Sequence, residues 1–131
     1  MKTCSLHHCG FVVDDIDSYE SKMIFDEKIS RVYDPLQKAE LALYTNFSDS
    51  YIELISPRDE SAYVWAALKA KGNHFHHFCY QIKNEYEMKE IVLNYKFIPI
   101  LGPLKAVLFN NKTVYFYYTR SKQIVEFLIQ D

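Results

Sequence analysis

The sequence predicts an α+β fold built from two tandem βαβββ modules. Three observations point there. The chain has 131 residues, 49% hydrophobic and 16% aromatic, which suffices for one well-packed unit and favours strands over a helical bundle. All five histidines fall in two strand-like stretches, Leu6-His7-His8-Cys9-Gly10-Phe11-Val12-Val13 and Asn73-His74-Phe75-His76-His77-Phe78-Cys79-Tyr80-Gln81-Ile82. The strand, helix and turn signals that follow the first stretch restart after the second, and internal repetition of this kind fixes an architecture.

The elements follow in order. Residues 4–13 read as a strand ending at Asp14-Asp15. Ile16, Tyr19, Met23 and Ile24 recur at helical spacing, with Asp17 as the cap and Glu20 as the third helical residue. Asp34-Pro35 breaks the chain. Residues 40–47 alternate, Ser48-Asp49-Ser50 turns, and Tyr51-Ile52-Glu53-Leu54-Ile55 is a strand stopped by Ser56-Pro57. The first half is thus a strand, a helix and two or three strands. Residues 58–73 form a connector, helical from Ser61 to Lys71, with Val64, Trp65 and Leu68 on one side and Gly72 as terminator.

In the second half Phe75 to Ile82 is a strand. Asn84 caps a helix with Glu87 three residues on, and Met88, Ile91, Val92 and Tyr95 form its apolar stripe; Pro99 ends it. Asn110-Asn111-Lys112 is a hairpin turn between residues 106–109 and the aromatic strand 113–119. Arg120-Ser121-Lys122 turns again, and Gln123 to Ile129 is the last strand. The expected organisation is one domain over residues 1–131, with modules at about 4–57 and 74–130 and a helical connector at 58–73.

Composition excludes several function classes. A net charge of −2 offers no footprint for nucleic acid or an anionic membrane. No apolar run reaches the ~20 residues of a spanning helix, and Asp14 and Asp15 arrive too early for a signal peptide. Cys4, Cys9 and Cys79 are an odd count without scaffold spacing, which favours a reducing, cytoplasmic setting.

The chemistry lies in the repeat. His8 matches His77, 69 residues on, and Glu53 matches Glu126, 73 residues on. In each half a His lies in the first strand and a Glu in the middle of the last. Side chains two apart share a strand face, so His8 points with Gly10 and Val12, His77 with Phe75, Cys79 and Gln81, Glu53 with Tyr51 and Ile55, and Glu126 with Ile124 and Leu128. A lone His in a strand is ordinarily a hydrogen-bonded core residue, and a lone Glu sits on a solvated face. Two matched pairs in apolar strands are different, because a buried carboxylate needs a partner or a metal. Two modules related by a local twofold would converge His8, Glu53, His77 and Glu126 on one divalent ion: Zn, Ni, Co, Mn or Fe. Four protein ligands leave two of six octahedral positions open for water or substrate oxygens. His7, His74 and His76 fall on the other parity or outside the strand and read as structural or surface groups. Cys79 reads as a small buried residue. Lys38, Lys105 and Lys112 are surface lysines that an anionic substrate tail could meet.

These residues resemble the vicinal oxygen chelate superfamily over residues 5–130. The matching motifs are His8-Cys9-Gly10-Phe11-Val12-Val13 with Asp15-Ile16-Asp17, Glu53-Leu54-Ile55-Ser56-Pro57, Gly72 followed by His76 to Ile82, and Val125-Glu126-Phe127-Leu128. The Glu-Leu-Ile-Ser-Pro run and the His-His pair after a Gly are most similar to the methylmalonyl-CoA epimerase and small bacterial glyoxalase-like branch. The resemblance implies the vicinal oxygen chelate fold, in which the two βαβββ modules form an eight-stranded, cup-shaped sheet, with metal binding at His8, Glu53, His77 and Glu126, a small-molecule substrate, and a homodimer by family habit.

The departures bear on the substrate. The epimerases carry a basic Glu early in the second strand, where this chain has Gln37; Glu40 would serve only in a shifted register. The glutathione-binding Arg and Asn of glyoxalase I are replaced by Val12 and Pro57, and the family's Gly-rich loop by Gly102-Pro103-Leu104-Lys105. The expectation is a metal-dependent isomerase or epimerase-like enzyme that moves a proton α to a carbonyl, acting on an altered substrate. Glu126 is the expected base and Glu53 the opposing acid/base. Its rivals are a glyoxalase-type lyase on a hemithioacetal or related aldehyde, and a small-molecule binding or resistance protein. A fourth ligand at Glu53 counts against an extradiol-type oxygenase.

Overall fold

The computed structural model describes residues 4–47 and 49–131, so Ser48 of the expected turn lies outside the described residues. Strand, helix and three strands occur twice. The first set is β1 (Cys4–Val12), α1 (Ile16–Glu20), β2 (Glu27–Asp34), β3 (Ala39–Thr45) and β4 (Tyr51–Pro57). A linking helix α2 (Trp65–Lys71) precedes β5 (His74–Ile82), α3 (Glu85–Tyr95), β6 (Ile98–Ala106), β7 (Lys112–Tyr118) and β8 (Ile124–Ile129). The strands are hydrogen-bonded in the order β2-β3-β4-β1-β5-β8-β7-β6. The sheet is mixed, since β5 and β8 are parallel whereas β7 pairs antiparallel with both β6 and β8. This is the expected α+β class.

The chain divides into two compact units. One comprises the chain through His8 together with His77–Asp131; the other is Cys9–His76.

In the Cys9–His76 unit, β3 pairs antiparallel with β2 on one side and β4 on the other. Val13, Ile16, Ala42, Tyr44 and Leu54 form the core, with Phe11, Tyr19, Phe25 and Ile52 packed on it. Helix α1 is shorter than its periodicity predicts, and its cap is Asp15 rather than Asp17: the Asp15 carboxylate accepts the Ser18 N–H at 2.8 Å. The two acids expected to form the capping box have tertiary partners instead. Asp17 accepts from Arg31, and Glu20 accepts from the Tyr44 hydroxyl and pairs with Lys28. Met23 and Ile24 are 50% and 76% exposed, so no buried apolar face sustains a longer helix. The break at Asp34-Pro35 has a local cause, because Asp34 Oδ1 accepts the Leu36 N–H at 2.9 Å in an Asx-type turn. Helix α2 begins at Trp65, later than expected, and Gly72 ends it at φ +73°.

In the other unit, α3 begins where the sequence predicts, with Asn84 Oδ1 accepting the Glu87 N–H at 2.9 Å. Met88, Ile91 and Val92 pack on Ile82, Tyr117, Val125, Phe127 and Ile129. Tyr95 is 64% exposed and lies off that stripe. Alternation along β8 sends Ile124, Glu126 and Leu128 to the opposite face, where Cys79, Ala106, Val114, Phe116 and Leu128 cluster. The segment before the hairpin departs from expectation: the strand is Ile98–Ala106, and 107–109 form a 3₁₀ turn. Pro99 and Pro103 lack N–H donors, and register shifts between Pro99 and Leu101 and between Leu101 and Leu104 interrupt the period-two pattern, so this edge strand is masked in the sequence. Asn110 and Asn111 both take positive φ, the backbone that an Asn-rich hairpin turn requires.

Candidate metal centre

Three of the four expected ligands meet within one unit. His8 lies on β1, His77 on β5 and Glu126 on β8, which are consecutive in the sheet. The parallel register sets Cys79 beside Glu126, and His77, two residues before Cys79, shares its face. His8 Nε2 is 3.1 Å from His77 Nε2, while Glu126 Oε1 is 3.3 Å from the first and 3.0 Å from the second. The three residues are 0%, 1% and 4% exposed.

This triangle fits a divalent ion. Metal–ligand bonds of about 2.1 Å place neighbouring ligand atoms about 3.0 Å apart in an octahedron and about 3.4 Å apart in a tetrahedron. The observed edges fall within that interval. Two imidazoles and a carboxylate are a donor set for borderline transition metals. These buried side chains could together hold an ion.

Aromatic rings orient the imidazoles. Phe109 stacks on His8 with centroids 5.2 Å apart and planes 23° apart, and Phe116 meets His77 edge-on at 5.8 Å. Burial pushes the Glu126 carboxyl up, but hydrogen bonds from His77 and His8 and the attraction of those rings outweigh it. The carboxyl is held well below the usual carboxylate range.

Glu53, the fourth expected ligand, belongs to the other unit. It is 4% exposed, mid-strand in β4 and opposite Leu43 of β3. Gln37 donates its side-chain N–H to Asp34 Oδ2 at 3.0 Å. Glu40 is engaged by Arg31 and Arg58, so it is tied into an ion-pair network. His74 donates through Nδ1 to the Gly72 carbonyl at 2.8 Å, and Lys112 reaches Gln130.

Sequence reasoning assigned no site role to two neighbours of the centre. His7, read as structural or surface, has its ring 5.1 Å from those of His8 and Phe109. Cys79, fully buried, offers its sulfur within 4.8 Å of ligand atoms of His7 and His8. The His7-His8 doublet is the signal in the sequence, and strict alternation, which would set its first member on the opposite face, hides it.

A family model described as the Glyoxalase/Bleomycin resistance protein/Dioxygenase superfamily matches residues 7–116. The chain belongs to this superfamily. Solved structures share the fold at low identity. A hypothetical protein from Bacillus halodurans C-125 is 20% identical, with 99% of this chain and 96% of that one covered and a TM-score of 0.84. Methylmalonyl-CoA epimerase from Mycobacterium tuberculosis is 18% identical, covering 96% and 87%, with a TM-score of 0.78. A Streptomyces coelicolor methylmalonyl-CoA epimerase variant in complex with 2-nitronate-propionyl-CoA is 17% identical, covering 95% and 92%, also with a TM-score of 0.78. No curated protein matches the chain. Among the described residues, no helix is long and apolar enough to cross a membrane.

Proposed function

We propose that this superfamily member is a metal-dependent, epimerase-like isomerase that moves a proton α to a carbonyl. The observation that carries the proposal is the buried triangle of His8 Nε2, His77 Nε2 and Glu126 Oε1, with edges of 3.0–3.3 Å. Glu53 completes the proposed ligand set, supported by its burial and by its position in the first half matching that of Glu126 in the second. The donors suit Ni, Co, Zn, Mn or Fe. When bound, such an ion supplies Lewis acidity at a carbonyl oxygen and so acidifies the adjacent C–H.

The carboxylates move the proton. Glu126 Oε1 is engaged by both imidazoles, and Oε2 of the same group is the proposed acceptor of the α-proton. The C–H bond breaks with its electron pair delocalised onto the carbonyl oxygen. Glu53, protonated on the oxygen that would not hold the ion, returns a proton to the same carbon, and the two carboxyls reset by exchange with solvent. General acid–base catalysis of this type contributes about 10²–10⁴-fold. The substrate class is a malonyl-type thioester, supported by the epimerase neighbours. Gln37 in place of the expected base, held by Asp34, favours an altered acyl group.

The test combines metal content of the purified protein with deuterium wash-in from solvent at the α-carbon of methylmalonyl-CoA and related thioesters. One equivalent of metal and wash-in that Glu126→Gln abolishes are expected. Full wash-in by metal-loaded Glu126→Gln would remove Glu126 from the mechanism. Turnover of a hemithioacetal without thioester exchange would establish the lyase instead, and tight small-molecule binding by metal-free protein would establish a binding protein.

A further inference from the structure

Building on the proposed metal site, we infer that His7 is a positioning residue that fixes the tautomer and ring orientation in which His8 presents Nε2 to the ion. Strict alternation along β1 would send the His7 and His8 side chains to opposite faces. Their rings nevertheless meet, with centroids 5.1 Å apart, planes at 80° and Nδ1 atoms 2.9 Å apart.

A contact between two imidazole nitrogens at that distance needs one N–H and one lone pair. His8 must keep its Nε2 lone pair to serve as a ligand, because Nε2 is the atom facing His77 and Glu126. A neutral His8 ligating through Nε2 therefore carries its proton on Nδ1, and Nδ1–H donates to His7 Nδ1. His7 in turn carries its own proton on Nε2. Phe109 holds the arrangement, stacked on His8 and edge-on to His7 at 87°. The His8 ring is fully buried, so turning it would forfeit the Nδ1 partner with no water to replace it. His7 supplies the orienting acceptor that metal-binding histidines ordinarily find in a carboxylate or a backbone carbonyl, and it does so without adding charge.

The experiment uses the full chain, with zinc and cobalt(II) as probes. Affinities come from competition with a chromophoric chelator, alongside the visible spectrum of the cobalt form. His7→Phe keeps an aromatic ring but removes the acceptor, and should weaken zinc binding by about 10–100-fold. His7→Asn offers an amide oxygen near the position of Nδ1, and should restore both affinity and cobalt spectrum. Nitrogen-15 ring correlations on zinc-loaded wild type should show His8 protonated at Nδ1; this measurement decides even if His7→Phe does not fold. Zinc binding by His7→Phe equal to wild type, or a proton on His8 Nε2 in the zinc form, would overturn the role of His7 alone. A wild-type chain that takes up no divalent ion would overturn the metal site and this inference with it.

Discussion

Nε2 of His8 and Nε2 of His77 face each other across 3.1 Å, although 69 residues separate them in the chain. Two imidazole nitrogens that can each turn a lone pair to a cation, with a carboxylate oxygen beside them, make a place for one. Zinc at about a hundred times its dissociation constant should stabilise the protein by about 2.7 kcal/mol, a rise of about 5–10 °C in Tm. Thermal unfolding with and without chelator measures this, and His77→Ala should cancel the zinc-dependent rise.

Glu126 shapes the acid stability of the metal-free protein. Its folded carboxyl titrates below its ordinary value because the hydrogen bonds from His77 and His8 overcome the upward push of burial. A depressed carboxyl contributes stability that is full above the unfolded-state value and is lost as pH falls through the folded one. His77→Leu removes the main compensation and leaves burial, so the Glu126 carboxyl should rise; a raised carboxyl costs most at neutral pH, and the deficit against wild type should shrink as pH falls. Denaturant titration at neutral pH should show a loss of about 3 kcal/mol, as expected when one partner of a buried pair is removed.

Tyr44 is a core residue with one polar duty. Its ring stacks on Phe25 at 4.2 Å, and its hydroxyl donates to Glu20 Oε2 at 2.6 Å. Tyr44→Phe keeps the packing and should cost about 1 kcal/mol of unfolding free energy. Glu20 is held low by hydrogen bonds from Tyr44 and Lys28, so that contribution is present above the ordinary glutamate range and fades as pH falls below it. A urea series in wild type and Tyr44→Phe should therefore show a gap that narrows in acid.

Two glycines should respond differently to a methyl group. At Gly102, φ is +122° and an added Cβ would lie 2.9 Å from both the Tyr115 Cα and the Val114 carbonyl oxygen. Those are backbone atoms of the neighbouring strand, which cannot turn aside. At Gly72, φ is +73° and nothing stands within 4 Å. Gly72→Ala should cost about 1 kcal/mol of left-handed strain, and Gly102→Ala about 2–4 kcal/mol, because strain and overlap add. Equal losses in chemical denaturation would contradict this.

By itself the sequence determined whatever depends on neighbours along the chain. Alternation within a strand set Glu126 with Leu128 and His77 with Cys79, because successive side chains point to opposite faces wherever the strand pairs. Asn84 capped α3 as written, since its partner, the Glu87 N–H, lies three residues away. The repeat of His and Glu between the halves singles out His8, Glu53, His77 and Glu126 from spacing alone. Tertiary structure decided what depends on partners distant in sequence. Arg31 from β2 engaged Asp17 and left the α1 cap to Asp15. Pairing with β7 made a strand of 98–106 despite two prolines. His7 gained its place beside His8 through Phe109, delivered by a 3₁₀ turn a hundred residues along the chain. Local periodicity encodes which face a side chain takes, whereas the partner waiting on that face is set by long-range packing.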